Sequence, residues 1–277
     1  MKIRSLTILF ITVLSLTFCL TDGVHAFTIG YFDSNRARGT FDDTGSLSNE
    51  TFGAALMSKG YTLVGTDVLT STFLSGVDVF FTSPSSSSLS AAEATAIANF
   101  WNSGGSIFIE TDSNDSEMAA ANSFLAALGV GTSFGGAFLP DNDANGGTIV
   151  GDDNPITNGP NGDVRNLTYA VSTAYALNMG ADGEIGIAMI DPYYTMAVYE
   201  PNAFTSGTGK LFMAVDPFTF DLFTNSTGAL YNPNNLVLGL NVIDQVASTI
   251  PEPSTFLLLG AGLAGVGLLR RRFKKQI

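Results

Sequence analysis

The stretch from Asp141 to Asp152 (DNDANGGTIVGD) carries side-chain oxygens at its first, third, fifth and twelfth positions and glycine at its sixth. Hard oxygen donors at that spacing, with a backbone carbonyl at the seventh position and a sharp glycine turn, are what a calcium loop uses. Asp141, Asp143, Asn145, Gly147 and Asp152 therefore form a candidate calcium site. Two features depart from that pattern: the last position is Asp rather than a bidentate Glu, and Phe138-Leu139-Pro140 ahead of it is no helix. The alternative is an acidic, solvated turn leading into Asn154-Pro155.

Nucleophilic and transition-metal chemistry is more tightly bounded. The one cysteine, Cys19, and the one histidine, His25, both lie in the first 26 residues, and the stretch from 27 to 250 has neither. A Cys–His or Ser–His–Asp nucleophile, a zinc site built on His or Cys, haem ligation and a disulfide are thereby excluded from it. A third set of residues stands where apolar runs end: Asp33, Ser83, Thr111, Asp112 and Asp216. If those runs are parallel strands, the set shares the edge where open sheets bind ligands, and its carboxylates and hydroxyls suit a sugar or a cation. The same residue types also cap helices and turns. With 23 acids in this stretch, some carboxylate pair for glycoside hydrolysis is inevitable and carries no information.

The elements that would position these residues follow from periodicity. Phe27–Phe32, Tyr61–Val64, Val77–Thr82 and Ser106–Glu110 read as strands, the third apolar almost throughout, as buried parallel strands are. Between them Asn49–Lys59 reads as a helix stopped by Gly60. Ser90 and Glu93 form a capping box for another helix, with Ala94, Ile97, Ala98 and Trp101 facing inward. Asn114 opens a third, with Met118, Ala121, Leu125 and Leu128 on one face. After residue 130, turn-rich segments separate strand candidates at Glu184–Ile190, Thr195–Tyr199 and Lys210–Val215, and Asn234–Ala247 reads as a last helix. Strand and helix in short alternation predict an α/β domain with a mainly parallel sheet covered on both faces. No linker divides residues 27–250.

Both ends read as addresses. Lys2 and Arg4 precede an apolar run to Leu20, and Val24-His25-Ala26 places a small residue at the cleavage position with Val two before it, so residues 1–26 read as a secretory signal peptide cleaved after Ala26. At the other end Pro251-Glu252-Pro253 precedes a 14-residue apolar run, Phe256–Leu269, and a cluster of Arg270, Arg271, Arg272, Lys274 and Lys275. Such a run makes only ~21 Å of helix, short for a ~30 Å hydrocarbon core. The basic cluster holds its end in the cytoplasm. This tail, residues 251–277, resembles the PEP-CTERM sorting signal of Gram-negative bacteria. The resemblance implies export through the inner membrane by the general secretion machinery, processing by an exosortase near Pro251–Pro253, and delivery to the cell surface or an extracellular polysaccharide matrix. An ordinary C-terminal membrane anchor is the alternative.

The intervening stretch holds five basic residues against 23 acids, a formal charge of −18, which argues against nucleic acid and anionic membranes as partners. Its segments SGVDVFFTSPSSSSLSAAEATAIANFWNSGGSIFIET, NPITNG and GKLFMAVDPFTF resemble the class I glutamine amidotransferase-like superfamily, which implies a flavodoxin-like three-layer fold. Catalytic members of that superfamily place a cysteine just after a central strand. Here that strand runs into Thr111-Asp112. The expectation is a non-enzymatic exported domain with a structural or binding role in a biofilm or exopolysaccharide matrix. The alternatives are a calcium- or glycan-binding adhesion module and, third, a carboxylate hydrolase.

Overall fold

The computed structural model describes residues 27–33, 35–37, 39–41, 47–48, 50–139, 143–171, 174–180, 184–199, 209–216 and 232–247. The proposed signal peptide with Ala26 and the tail with Pro251, Glu252 and Pro253 lie outside them. Along the chain run β1 (Thr28–Phe32), β2 (Gly39–Thr40), β3 (Leu47–Ser48), α1 (Glu50–Ser58), β4 (Thr62–Thr66), α2 (Ser71–Leu74), β5 (Val79–Thr82), α3 (Ala91–Asn102), β6 (Ser106–Glu110) and α4 (Asp115–Leu128). Then come β7 (Ser133–Leu139), β8 (Asp143–Ile149), β9 (Asn158–Gly159), β10 (Gly162–Asp163), β11 (Thr168–Val171), β12 (Ala174–Asn178), β13 (Glu184–Ile190), β14 (Tyr193–Tyr199), β15 (Leu211–Ala214) and α5 (Pro233–Ala247).

Nine strands form one sheet in the order β11-β8-β13-β14-β15-β6-β5-β1-β4. The five from β15 to β4 are parallel, as expected. The other four continue the sheet antiparallel, with β14 pairing β15. Two apolar cores lie on opposite faces. One joins Phe80, Ile107, Ile109 and Met213 to Ile97, Trp101, Phe124 and Leu125 of α3 and α4. The other joins Phe81, Phe108 and Phe212 to Phe52 and Leu56 of α1 and to Leu238, Val242 and Ile243 of α5. This is the three-layer α/β arrangement.

Local signals hold the helices where the sequence places them. The capping box is formed in both directions: the Glu93 N–H donates to Ser90 Oγ at 3.3 Å, and the Ser90 N–H donates to Glu93 Oε2 at 2.9 Å. The inward face of α3 is Ala96, Ile97, Phe100 and Trp101; Ala94 and Ala98, expected inward, are only half-buried. The stripe is set by the two large aromatic rings, and the small alanines follow its flank. Helix α4 buries Met118, Ala121, Leu125 and Leu128 as expected and ends at Gly129, whose φ of 72° is left-handed. Helix α5 starts with Pro233, whose missing N–H costs nothing at a first helical position. Asn232 Oδ1 accepts the Asn234 N–H at 3.0 Å.

Candidate functional site

In the parallel half every strand delivers its C-terminal end to the same edge of the sheet. The register sets what meets there. Tyr31 pairs with Phe81, Phe81 with Phe108, and Phe108 with Phe212. Phe108 stacks on both neighbours with ring centroids 4.7 Å apart. Two residues further along each strand, on the same face, the register places Asp33, Ser83, Glu110 and Ala214 in a row, about 4.8 Å per step. A continuous aromatic floor thus ends in a polar row. Asp216 follows two residues beyond Ala214. Thr111 extends the ladder by donating its N–H to the Ala214 carbonyl at 3.1 Å.

The structure therefore brings Asp33, Ser83, Thr111, Asp112 and Asp216 to one sheet edge, and adds Glu110, which the sequence reading treated only as the end of a strand. Glu110 is fully buried and Asp216 is 2% exposed. A charged residue closing an otherwise apolar strand (SIFIE) is the signal that marks it. Tyr169 of β11, also unremarked in the sequence, is fully buried and shares a hydroxyl–hydroxyl bond with Thr195. Burial pushes its phenol upward, against the Thr195 bond, and the charge of Asp216 adds to the rise. On the opposite face, by strand alternation, stand Thr82 and Thr111. Their buried hydroxyls have no hydrogen-bond partner among the described residues. Buried polar atoms are nearly always paired, so two such hydroxyls on neighbouring strands mark this edge as a place where a ligand's polar groups would be accepted.

The loop that follows β1 is held beside this edge by one cation. Arg36 donates to Glu93 Oε1 at 2.8 Å and to the Asp67 carbonyl at 3.2 Å, and lies 4.5 Å over the Phe32 ring. Burial alone would raise the Glu93 carboxyl. The bonds from Arg36, from Ser90 and from the Leu69 N–H outweigh it and hold the carboxyl down at about 2.

The segment with the calcium-loop spacing takes an extended form in three dimensions. Asp143–Ile149 is the extended strand β8, paired with β11 and β13, so its ends lie roughly 20 Å apart. A twelve-residue calcium loop must instead coil around one point. Gly147 is buried under the Tyr169 ring, where any Cβ would collide, so its glycine serves packing. Asp152 is exposed beyond the strand end, with its carbonyl accepting from Thr157 Oγ1 at 2.5 Å. Asp141 lies outside the described residues, as do the side chains of Asp143 and Asn145. Among the described residues no group of three or more His, Cys, Asp or Glu could hold a metal, and no helix is long and apolar enough to cross a membrane.

Comparison with known proteins separates the tail from the domain. No curated protein matches the chain. The fold is similar to the N-terminal domain of mmIFT52, with 18% identity and a TM-score of 0.60, covering 80% of this chain and 98% of that one. It is also similar to the cytoplasmic protein STM3548 from Salmonella typhimurium, with 12% identity and a TM-score of 0.51, covering 79% and 98%. A ThuA-like protein from Bacteroides uniformis aligns at 13% identity and a TM-score of 0.43, covering 80% and 91%. At these identities the likeness to the first two is one of fold. Residues 249–272 match the PEP-CTERM protein-sorting motif, which makes the chain an exosortase-targeted, exported protein of the Gram-negative type.

Proposed function

We propose that the exported chain is a non-enzymatic component of an extracellular polysaccharide or biofilm matrix, with its amidotransferase-like domain serving as a binding or structural unit. One observation carries this reading. Where catalytic relatives would expose a cysteine after the central strand, β6 continues in the ladder through Glu110 into Thr111, and no cysteine or histidine exists between residues 27 and 250. Acyl transfer there would lack both nucleophile and imidazole base. A carboxylate hydrolase needs two acids flanking an accessible glycosidic bond. Glu110 and Asp216, at 0% and 2% exposure, favour a packed polar edge over that role.

Two experiments test the proposal. The exported protein, incubated with glutamine, amide substrates and a polysaccharide panel, should show no turnover while being retained by the producing cells' polysaccharide. Turnover abolished by Glu110→Gln would overturn the non-enzymatic reading. Replacing Pro251-Glu252-Pro253 by three alanines should leave full-length protein at the inner membrane. Two prolines around one acid keep that segment out of the preceding helix and extended for a protease. Normal release of this variant would make the tail a plain anchor.

A further inference from the structure

A cavity of about 300 Å³ lies between α2 and α3, on one helical layer, and none of the sheet-edge residues lines it. Its floor is apolar: Leu74 and the ring of Phe100, 3% and 8% exposed. Its rim is polar and uncharged: Ser71, Ser75, Asn99 and Ser103. No ionised side chain lines it, although the surrounding stretch carries 23 acids.

The rim's hydrogen-bonding sense is set by the helix ends. Ser75 Oγ donates its proton to the Thr72 carbonyl at 2.8 Å, and Ser103 Oγ donates to the Phe100 carbonyl at 2.8 Å. Both oxygens are left with lone pairs only, so each can accept a ligand's hydroxyl proton. Asn99 brings an N–H donor and a carbonyl acceptor, and Ser71 a hydroxyl of either sense. The ring of Phe100 sits where it does because Gly105 has no Cβ; one added there would run into that ring.

We infer that this groove binds a neutral hexose unit of a polysaccharide. An apolar floor ending in an aromatic ring suits the C–H face of a pyranose. A rim of acceptors suits its hydroxyls, and the lack of charge fits a ligand with none. About 300 Å³ is the small end of ligand-sized cavities, enough for one or two sugar rings. The inference deepens the matrix reading and rests on it for the source of the ligand.

Isothermal titration of the exported protein with gluco-, manno- and galacto-hexasaccharides, and with an oligogalacturonate as the acidic counterpart, tests it. At least one neutral hexasaccharide should bind, at millimolar Kd or tighter, and the oligogalacturonate should not. The double variant Asn99→Ala with Ser103→Ala, both at exposed positions, should weaken binding about tenfold without moving the melting temperature, the loss expected for two hydrogen bonds. Ser58→Ala, at an exposed position of α1 in the opposite helical layer, should leave it unchanged. Absence of neutral binding, equal binding of the acidic oligomer, or indifference to the rim variant would each overturn the inference. If the rim variant is still held by the producing cells' polysaccharide as well as the unaltered protein, the groove falls and the matrix reading stands. If the unaltered protein is not retained at all, the matrix reading falls with it.

Discussion

Across β5, β6 and β15 the parallel half of the sheet is joined by stacked rings, Phe81 on Phe108 on Phe212, whereas the antiparallel half is closed by side-chain amides. Asn235 of α5 lies along the outermost strand β11, accepting the Ala170 N–H and donating to the Ala170 carbonyl, both at 2.9 Å. Asn232 and Asn234 donate to the Thr168 carbonyl of the same strand. Outside that sheet, in the separate antiparallel pair of β7 and β12, Asn122 of α4 treats Phe134 of β7 in the same way, at 2.8 and 3.1 Å. A parallel strand between two helical layers can be apolar on both faces. An edge strand leaves backbone groups unpaired, and an amide with one donor and one acceptor copies the missing neighbour. The halves also differ in where their ends fall. Parallel strands send all their C-termini to one edge, so polar residues gather there. Antiparallel strands alternate and scatter theirs. A shared polar row is therefore a property of the parallel half alone.

Breaking the ring ladder should have the largest effect. Phe108→Ala removes the middle ring and opens a cavity at a fully buried position, with an expected loss of about 3–5 kcal/mol in chemical denaturation. A loss below about 1 kcal/mol would mean the ladder is not central to the core. Asn235→Leu should cost less, about 2–3 kcal/mol, because it strands a buried N–H and a buried carbonyl of Ala170. If the two variants rank the other way, amide closure matters more to this domain than aromatic packing.

The acid response sharpens the comparison further. Glu93 is held at about 2, below its ordinary 4.5, so its contribution is complete at neutral pH and is lost as pH falls from about 5 through 2. Melting temperatures at pH 7 and pH 3 should therefore converge in Glu93→Gln relative to the unaltered protein. An undiminished drop in the variant would place the acid sensitivity elsewhere. The smallest effect is expected from calcium. With β8 extended, millimolar calcium should move the melting temperature by less than about 1 °C, where an occupied weak site would raise it several degrees. A rise of that size, lost in Asp141→Ala with Asp143→Ala, would restore the cation loop.

Much of the parallel half was legible because its signals are local. The run Val77–Thr82, within which Val79–Thr82 forms the strand, the Ser90–Glu93 box and the Gly60 stop each depend on a few neighbouring residues and carry over into the fold. The tail motif is equally local, since Pro-Glu-Pro, the apolar run and the arginines stand in one contiguous stretch. What the chain could not announce is register. Glu110 reads as one more residue at a strand end until Ser83 and Ala214 are set beside it, and Tyr169 lies 47 residues before Asp216, whose charge adds to the rise that burial gives its phenol. The twelve-residue oxygen spacing meets the same limit. Spacing along a chain becomes proximity only if the backbone coils, and pairing of β8 with β11 and β13 holds it straight. Composition and local pattern determined the layers, the helix ends, the absence of thiol and imidazole between residues 27 and 250, and the address. Long-range strand pairing decided which side chains share an edge, because hydrogen bonds between distant segments, and nothing within either segment, set the register.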